Sequence, residues 1–353
     1  MISLLIAGAV SFVLTILLTP VAIRVLRNRD IGQFIQAELE GHSHKRGTPT
    51  MGGLVMWLGV TVGYVAAHVR LFSFSDGVVF ETLAFAPQGA LALFAFLGMG
   101  FIGFLDDYAK YARKQNLGLT KRWKFLGQLL IAGLFAWGAV AAGVDPSFQV
   151  TNTFSIALGP VFYTVLVLVM LTGSANAVNL TDGLDGLVAG SGALIFGAYM
   201  LIAFWEFRNI TVYSVDGALD LGMFAAGVVG AVAGFLWWNA APAQIIMGDT
   251  GSQALGGALA SLALLTRTHL LLVLLGGLYV MVAVSVILQV FSFRVFGRRI
   301  FKMAPLHHHF ELKGWPETTV IVRFWIVAGL FVALGIGIFY ADFLLVTEGG
   351  VLP

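Results

Sequence analysis

Apolar runs close to the length of a membrane span follow one another along almost the whole chain. They lie at about 3–23, 51–69, 89–105, 125–143, 157–177, 187–205, 221–240, 250–266, 270–294 and 321–345. A helix rises about 1.5 Å per residue, so about 20 apolar residues cross a hydrocarbon core of about 30 Å. Backbone N–H and C=O groups find no water in lipid and must be satisfied within the segment, which selects helices for runs like these. The pattern predicts an all-α integral membrane protein: one polytopic domain over residues 1–353 with about ten transmembrane helices. Charge supports this, because only 11% of residues are charged, against about 25% in ordinary soluble domains. The net charge of +2 carries no sign of a nucleic-acid partner, and the absence of Cys excludes disulfides, a thiol nucleophile and thiolate metal sites.

Lys and Arg set the expected orientation. All 20 except Arg70, Arg208 and Arg267 fall in or beside the segments that follow the first, third and ninth runs. Odd-numbered spans should therefore end in the cytoplasm, with both termini outside. In the first run the cations Arg24, Arg27 and Arg29 come after the apolar stretch, an order that fits an uncleaved span rather than a signal peptide. The ninth run would reach about 37 Å as a straight helix, so it should tilt or break, with Gly276-Gly277 as the weak point.

The polar residues that interrupt this pattern crowd the cytoplasmic face. The stretch Asn179-Leu-Thr-Asp-Gly-Leu-Asp-Gly186 puts Asp182 and Asp185 between the fifth and sixth runs. A carboxylate in or beside lipid costs about 2.5–3.5 kcal/mol even on insertion scales. Something cationic must offset that, and a metal ion with phosphates is a candidate; a bland Gly-rich loop is the plain alternative. Asp106 and Asp107 end the third run, pointing about 100° apart on a helix, and their mutual repulsion calls for a nearby cation. Asp249 opens the eighth run inside Met247-Gly-Asp-Thr-Gly-Ser252, where it could simply cap a helix, although the glycines would admit a ligand close to the backbone.

Two further stretches suit anions. Lys45-Arg-Gly-Thr-Pro-Thr-Met-Gly-Gly53 joins cations and hydroxyls at the mouth of the second span, as phosphate binding or a positive-inside anchor would require. Three adjacent histidines, His307, His308 and His309, follow Arg298, Arg299 and Lys302. Neighbouring His side chains chelate one zinc poorly, so hydrogen bonds to phosphate oxygens are the better reading. The basic run from Lys110 to Lys124 could contact anionic lipid headgroups or substrate phosphate, but for most of its members a positive-inside loop is the better reading.

Taken together and in order, these stretches resemble the polyprenyl-phosphate N-acetylhexosamine-1-phosphate transferases over nearly the whole chain. Met303-Ala-Pro-Leu-His-His-His-Phe-Glu-Leu-Lys-Gly-Trp-Pro-Glu317 resembles the branch that uses muramoyl-pentapeptide. The resemblance implies a ten-helix homodimer in the bacterial inner membrane. It implies transfer of phospho-MurNAc-pentapeptide from UDP-MurNAc-pentapeptide to undecaprenyl phosphate, giving lipid I and UMP, with Mg²⁺ as cofactor. Carried over by residue, it implies catalytic roles for Asp106, Asp107, Asp249 and His307. Asp249 and Asn179 would serve the metal. Lys45, Thr50, Lys121, Asn179, Asp182, Asp185, Asn239, Gln289, His308 and His309 would contact substrate. Asp107, Asp182 and Asp249 are expected to share one pocket. A sister enzyme acting on UDP-GlcNAc is the nearer alternative. A transporter is the more distant one, and it would need mid-bilayer acids rather than acids on one face.

Overall fold

The computed structural model describes residues 1–32, 47–70, 81–115 and 117–348. In chain order the elements are α1 (Ile2–Asn28), α2 (Gly53–Ala67), β1 (Val69–Arg70), β2 (Glu81–Thr82), α3 (Pro87–Arg113), α4 (Lys121–Ala141), β3 (Ser147–Thr151) and β4 (Phe154–Ala157). They continue with α5 (Gly159–Thr181), α6 (Leu187–Arg208), α7 (Ile210–Tyr213), α8 (Ala218–Asn239), α9 (Gly248–Leu265), α10 (Leu271–Leu275), α11 (Gly277–Phe296), α12 (Leu306–Glu311) and α13 (Glu317–Glu348). Each predicted apolar run has its helix, and the ninth breaks at Gly276 into α10 and α11. Among the described residues, eight helices are long and apolar enough to cross a membrane: α1, α3, α4, α5, α6, α8, α11 and α13. The two remaining long helices fall short for different reasons. α2 has 15 residues, and α9 begins with a polar turn that includes Asp249, Thr250, Ser252 and Gln253.

The burial pattern inverts that of a water-soluble helix. On α1 the buried side includes Ala7, Ser11, Thr15 and Thr19, while Leu5, Leu17 and Val21 are exposed. Lipid accepts large apolar side chains, whereas small residues let backbones approach and hydroxyls bond across helices. Ser11 Oγ accordingly donates to the Gly59 carbonyl oxygen of α2 at 2.9 Å.

α9 is the centre of the bundle. Every residue from Thr250 to Leu265 is buried, and α2, α3 and α5 pack along it. Its glycines set those distances: a Cβ on Gly256 would strike the Ala175 backbone of α5, and one on Gly257 would strike the Ala95 carbonyl oxygen of α3. Gly256→Val should therefore cost about 1–3 kcal/mol through overpacking, read as a lower melting temperature in detergent. Gly173→Val, where a Cβ would meet nothing within 4 Å, should leave it unchanged.

Among the described residues, two short antiparallel ribbons depart from an all-helical chain. The longer, β3–β4, pairs Phe148 with Ile156 and Ser147 with Ala157. The apolar–polar alternation that drives it, Ser147-Phe-Gln-Val-Thr and Phe154-Ser-Ile-Ala, stands in the sequence.

Candidate active site

The ends of α3 and α9 come together on one face of the bundle. Gly103 of α3 lies so close to the Asp249 carbonyl oxygen that a Cβ has no room there. That contact brings Asp106 and Asp107, one turn further along α3, against the first turn of α9. Ligand oxygens of Asp106, Asp107 and Asp249 all lie within 4.8 Å of one another, and Asp106 and Asp107 are buried.

Three carboxylates this close repel one another, and two lysines offset them. Lys110 Nζ lies 2.7 Å from Asp106 Oδ2, 3.4 Å from Asp107 Oδ1 and 3.3 Å from Asp249 Oδ2. Lys124, from α4, lies 2.5 Å from Asp249 Oδ2 and 3.9 Å from Asp106 Oδ2. With all five groups ionised, the cluster carries one negative charge in excess. Neutral groups fix the oxygens. Asp107 Oδ2 accepts both the Thr250 N–H (2.9 Å) and the Thr250 hydroxyl (2.7 Å), and Asp106 Oδ1 accepts the Leu119 N–H at 3.0 Å. Asn179 Nδ2 donates to Asp249 Oδ1 at 2.8 Å and to Ser252 Oγ at 2.9 Å. Gly248, at φ +70, turns the chain into α9 where a side chain would meet Asp107 Oδ2 and Thr50 Oγ1. Thr50 thus stands at the edge of the cluster.

A second polar region adjoins it through α5. Asp182, the residue that ends α5, lies three positions after Asn179. Next to it, Gly183 packs against the His307 ring, which is fully buried. Asp185 Oδ2 accepts the Ala243 N–H at 2.9 Å, and the Asp185 N–H donates to Glu317 Oε1 at 3.1 Å. Asn239 Oδ1 accepts the Gly186 N–H at 3.1 Å while its Nδ2 donates to the Ile245 carbonyl at 2.9 Å. The α5–α6 loop is thereby clasped to the loop before α9. On α12, His308 Nδ1 and Glu311 Oε2 are 2.6 Å apart. His309 Nδ1 accepts the Lys302 N–H at 3.0 Å, so in the neutral ring Nε2 carries the proton. Burial, with Lys313 and Lys302 nearby, holds its pKa below the usual histidine value. A His309→Gln substitution should accordingly leave the shape of a pH–rate profile unchanged above about pH 7.

The expected residues divide into three groups. Asp106, Asp107, Asp249, Asn179 and Thr50 come together. Asp182 and Asp185 do not join the group of carboxylates able to share one ion; Asn179, one turn earlier on α5, reaches Asp249 instead. The three-carboxylate cluster is built on Asp106, Asp107 and Asp249, with Asp182 one turn beyond Asn179 at the end of α5. Gln289 uses its amide on a loop, accepting the Ile300 and Phe301 N–H groups and donating to the Phe301 carbonyl. Lys121 opens α4 and is exposed, and Lys45 lies outside the described residues. Lys110 and Lys124 join the cluster although the sequence reading left them mostly as loop charge. The i,i+3 and i,i+4 spacing from Asp107 and Asp106 to Lys110 was the available signal.

The donor set suits a hard divalent cation, which prefers carboxylate oxygens. Lys110 Nζ already places a positive charge amid the same three carboxylates.

Comparison with known proteins agrees with this chemistry. The model described as Glycosyl transferase family 4 matches residues 90–267, and the one described as Phospho-N-acetylmuramoyl-pentapeptide-transferase signature 1 matches residues 45–55. A Phospho-N-acetylmuramoyl-pentapeptide-transferase of Frankia casuarinae is 47% identical, with 98% of this chain and 99% of the relative covered. Proteins of the same name from Clavibacter sepedonicus (46% identical; 98% and 100% covered) and Streptomyces griseus (45%; 96% and 98%) are similar throughout.

Proposed function

The chain belongs to the phospho-N-acetylmuramoyl-pentapeptide-transferase family, and from that premise we propose that it transfers phospho-MurNAc-pentapeptide from UDP-MurNAc-pentapeptide to undecaprenyl phosphate, giving lipid I and UMP. The observation that carries the site assignment is the cluster of Asp106, Asp107 and Asp249 with Lys110 and Lys124. In this reading all ten long helices cross the bacterial cytoplasmic membrane, both termini lie outside, the cluster faces the cytoplasm, and the enzyme works as a homodimer. The Lys and Arg distribution supports that orientation.

Two anionic reactants must meet, so charge neutralisation dominates the catalysis. Bound among Asp249, Asp106 and Asp107, with Asn179 alongside, Mg²⁺ would supply Lewis-acid charge stabilisation to the phosphates. Lys110 and Lys124 hold the carboxylates in place and offer N–H donors to phosphate oxygens. An oxygen of the lipid phosphate forms a bond to the sugar-side phosphorus as the bond from that phosphorus to UMP breaks, and UMP leaves with the electron pair. The α5–α6 loop and α12, with Asp182 and the Nε2–H of His309, line the side of the cleft given to the sugar and pyrophosphate, and the buried His307 ring supports that loop from behind Gly183.

Asp106 has its two oxygens on the Leu119 N–H and on Lys110, an arrangement suited to positioning. Asp106→Asn should then lose activity by a similar factor across the pH range. A deficit that vanishes at high pH would instead mark Asp106 as a base. A lipid phosphate, with its second pKa near 6 as in phosphorylated side chains, needs little such help at neutral pH.

The direct test follows radiolabel from UDP-MurNAc-pentapeptide into lipid, with and without Mg²⁺, and with UDP-GlcNAc as the competing donor. Label should enter only from the muramoyl donor and only with the cation. An equal rate in excess EDTA would remove the metal, and UMP exchange without lipid acceptor would replace direct attack with a phospho-enzyme.

A further inference from the structure

A cavity of about 510 Å³ lies at the end of the bundle opposite the carboxylate–lysine cluster. The helices fix the separation. α9 runs from Asp249 in the cluster to Thr266 and Arg267 at the cavity, about 26 Å by helix rise. α6 and α13 likewise begin near the α5–α6 loop and carry Glu206 and Asp342 to the cavity. With the cluster in the cytoplasm, the cavity opens at the outer face of the membrane, beneath the β3–β4 ribbon.

Its chemistry is unbalanced in one direction. Glu206 lines it, is 0% exposed, and has no hydrogen-bond partner on either carboxylate oxygen. A buried acid in this state is costly unless a donor arrives. The cation beside it is already committed: the Arg267 guanidinium reaches Asp145 Oδ2 at 3.0 Å and Gln149 Oε1 at 2.9 Å. A second acid, Asp342, also lines the cavity and accepts the Asn152 N–H at 2.8 Å. The Arg267 Nε–H and the Tyr213 hydroxyl of the same lining also have no partner, but a single guanidinium shared with Asp145 leaves the acids Glu206 and Asp342 in excess. On the other side, Leu271, Leu274, Ile338 and Phe339 form an apolar wall.

We propose that this cavity binds a ligand bearing a primary ammonium group. Glu206 and Asp342 take its N–H donors, and the wall of α10 and α13 takes an apolar portion. Such an ammonium comes either from an aminophospholipid headgroup of the surrounding bilayer or from a soluble amine. The site is independent of the transferase reading.

Phosphatidylethanolamine and phosphatidylcholine carry the same charge on nitrogen, but three methyl groups remove the N–H donors of the latter. The full chain in nanodiscs holding both lipids should retain the ethanolamine lipid about tenfold over the choline lipid by native mass spectrometry. Glu206→Gln should abolish that preference without changing turnover at the opposite face. Binding of free ethanolamine that depends on Glu206, without lipid preference, supports the site and assigns the ammonium to solution. Equal retention of the two lipids by the wild-type protein, with no binding of ethanolamine by calorimetry, overturns the proposal and needs no variant. A lipid preference that survives in Glu206→Gln overturns it as well, leaving a water-filled cavity.

Discussion

Replacing Asp249 by Ala should lower turnover by about 10³-fold or more at every Mg²⁺ concentration while leaving the protein folded. The two halves of that expectation come from one charge count. Three carboxylates and two ammonium groups leave the cluster one negative charge in excess. That excess, on hard oxygens, draws a divalent cation, and Asp249 is an acid that both lysines approach, at 3.3 and 2.5 Å. Without it, Asp106 and Asp107 balance Lys110 and Lys124, so no buried charge is left uncompensated and the bundle has no reason to open. Turnover across a Mg²⁺ titration, paired with a thermal melt, checks both halves. Near-normal turnover would remove Asp249 from the metal site. Lost activity with a collapsed melt would make it structural.

The sequence carried the architecture further than it carried the site. Ten apolar runs became ten long helices because lipid imposes one solution on such runs, and even the break at Gly276 followed from length. Asp106, Asp107 and Asp249 were visible as acids with no reason to border lipid. Which acids would meet was not visible, because that depends on how closely α3 approaches α9. The approach is set by Gly103 and Gly257, residues with no side chain to advertise it. Lys124 was hidden for the same reason, since nothing in a basic run says which lysine faces inward from α4. Asn239 and Gln289 show the reverse case. They read as substrate contacts, and in the fold their amides also hold backbone groups of neighbouring loops. A polar side chain near a site serves the loop as readily as the ligand, and only the directions of its hydrogen bonds tell the two apart. The ribbon β3–β4 was legible by its alternation but was hidden among runs read for membrane length.

Asp107→Ala should behave differently from Asp249→Ala, losing stability as well as activity. Asp107 closes the joint between α3 and α9 by accepting two hydrogen bonds from Thr250 on one oxygen. Thr250 is fully buried, so removing the carboxylate strands an N–H and a hydroxyl in the protein interior. It also takes a partner from Lys110. Leaving two buried donors without an acceptor costs about 1–3 kcal/mol for each, which should appear as a markedly lower melting temperature, with turnover down by about 10²-fold as the Asp249 helix end drifts. Thr250→Val removes the hydroxyl while leaving the N–H, and should cost less. The double variant decides the interpretation. If Asp107 acts through Thr250, the two stability losses should fall short of additive by about 0.5–3 kcal/mol, as expected for residues in one hydrogen-bond network. Additive losses would mean that Asp107 serves the ion alone, and that the joint between α3 and α9 is held by its glycines without help from the carboxylate.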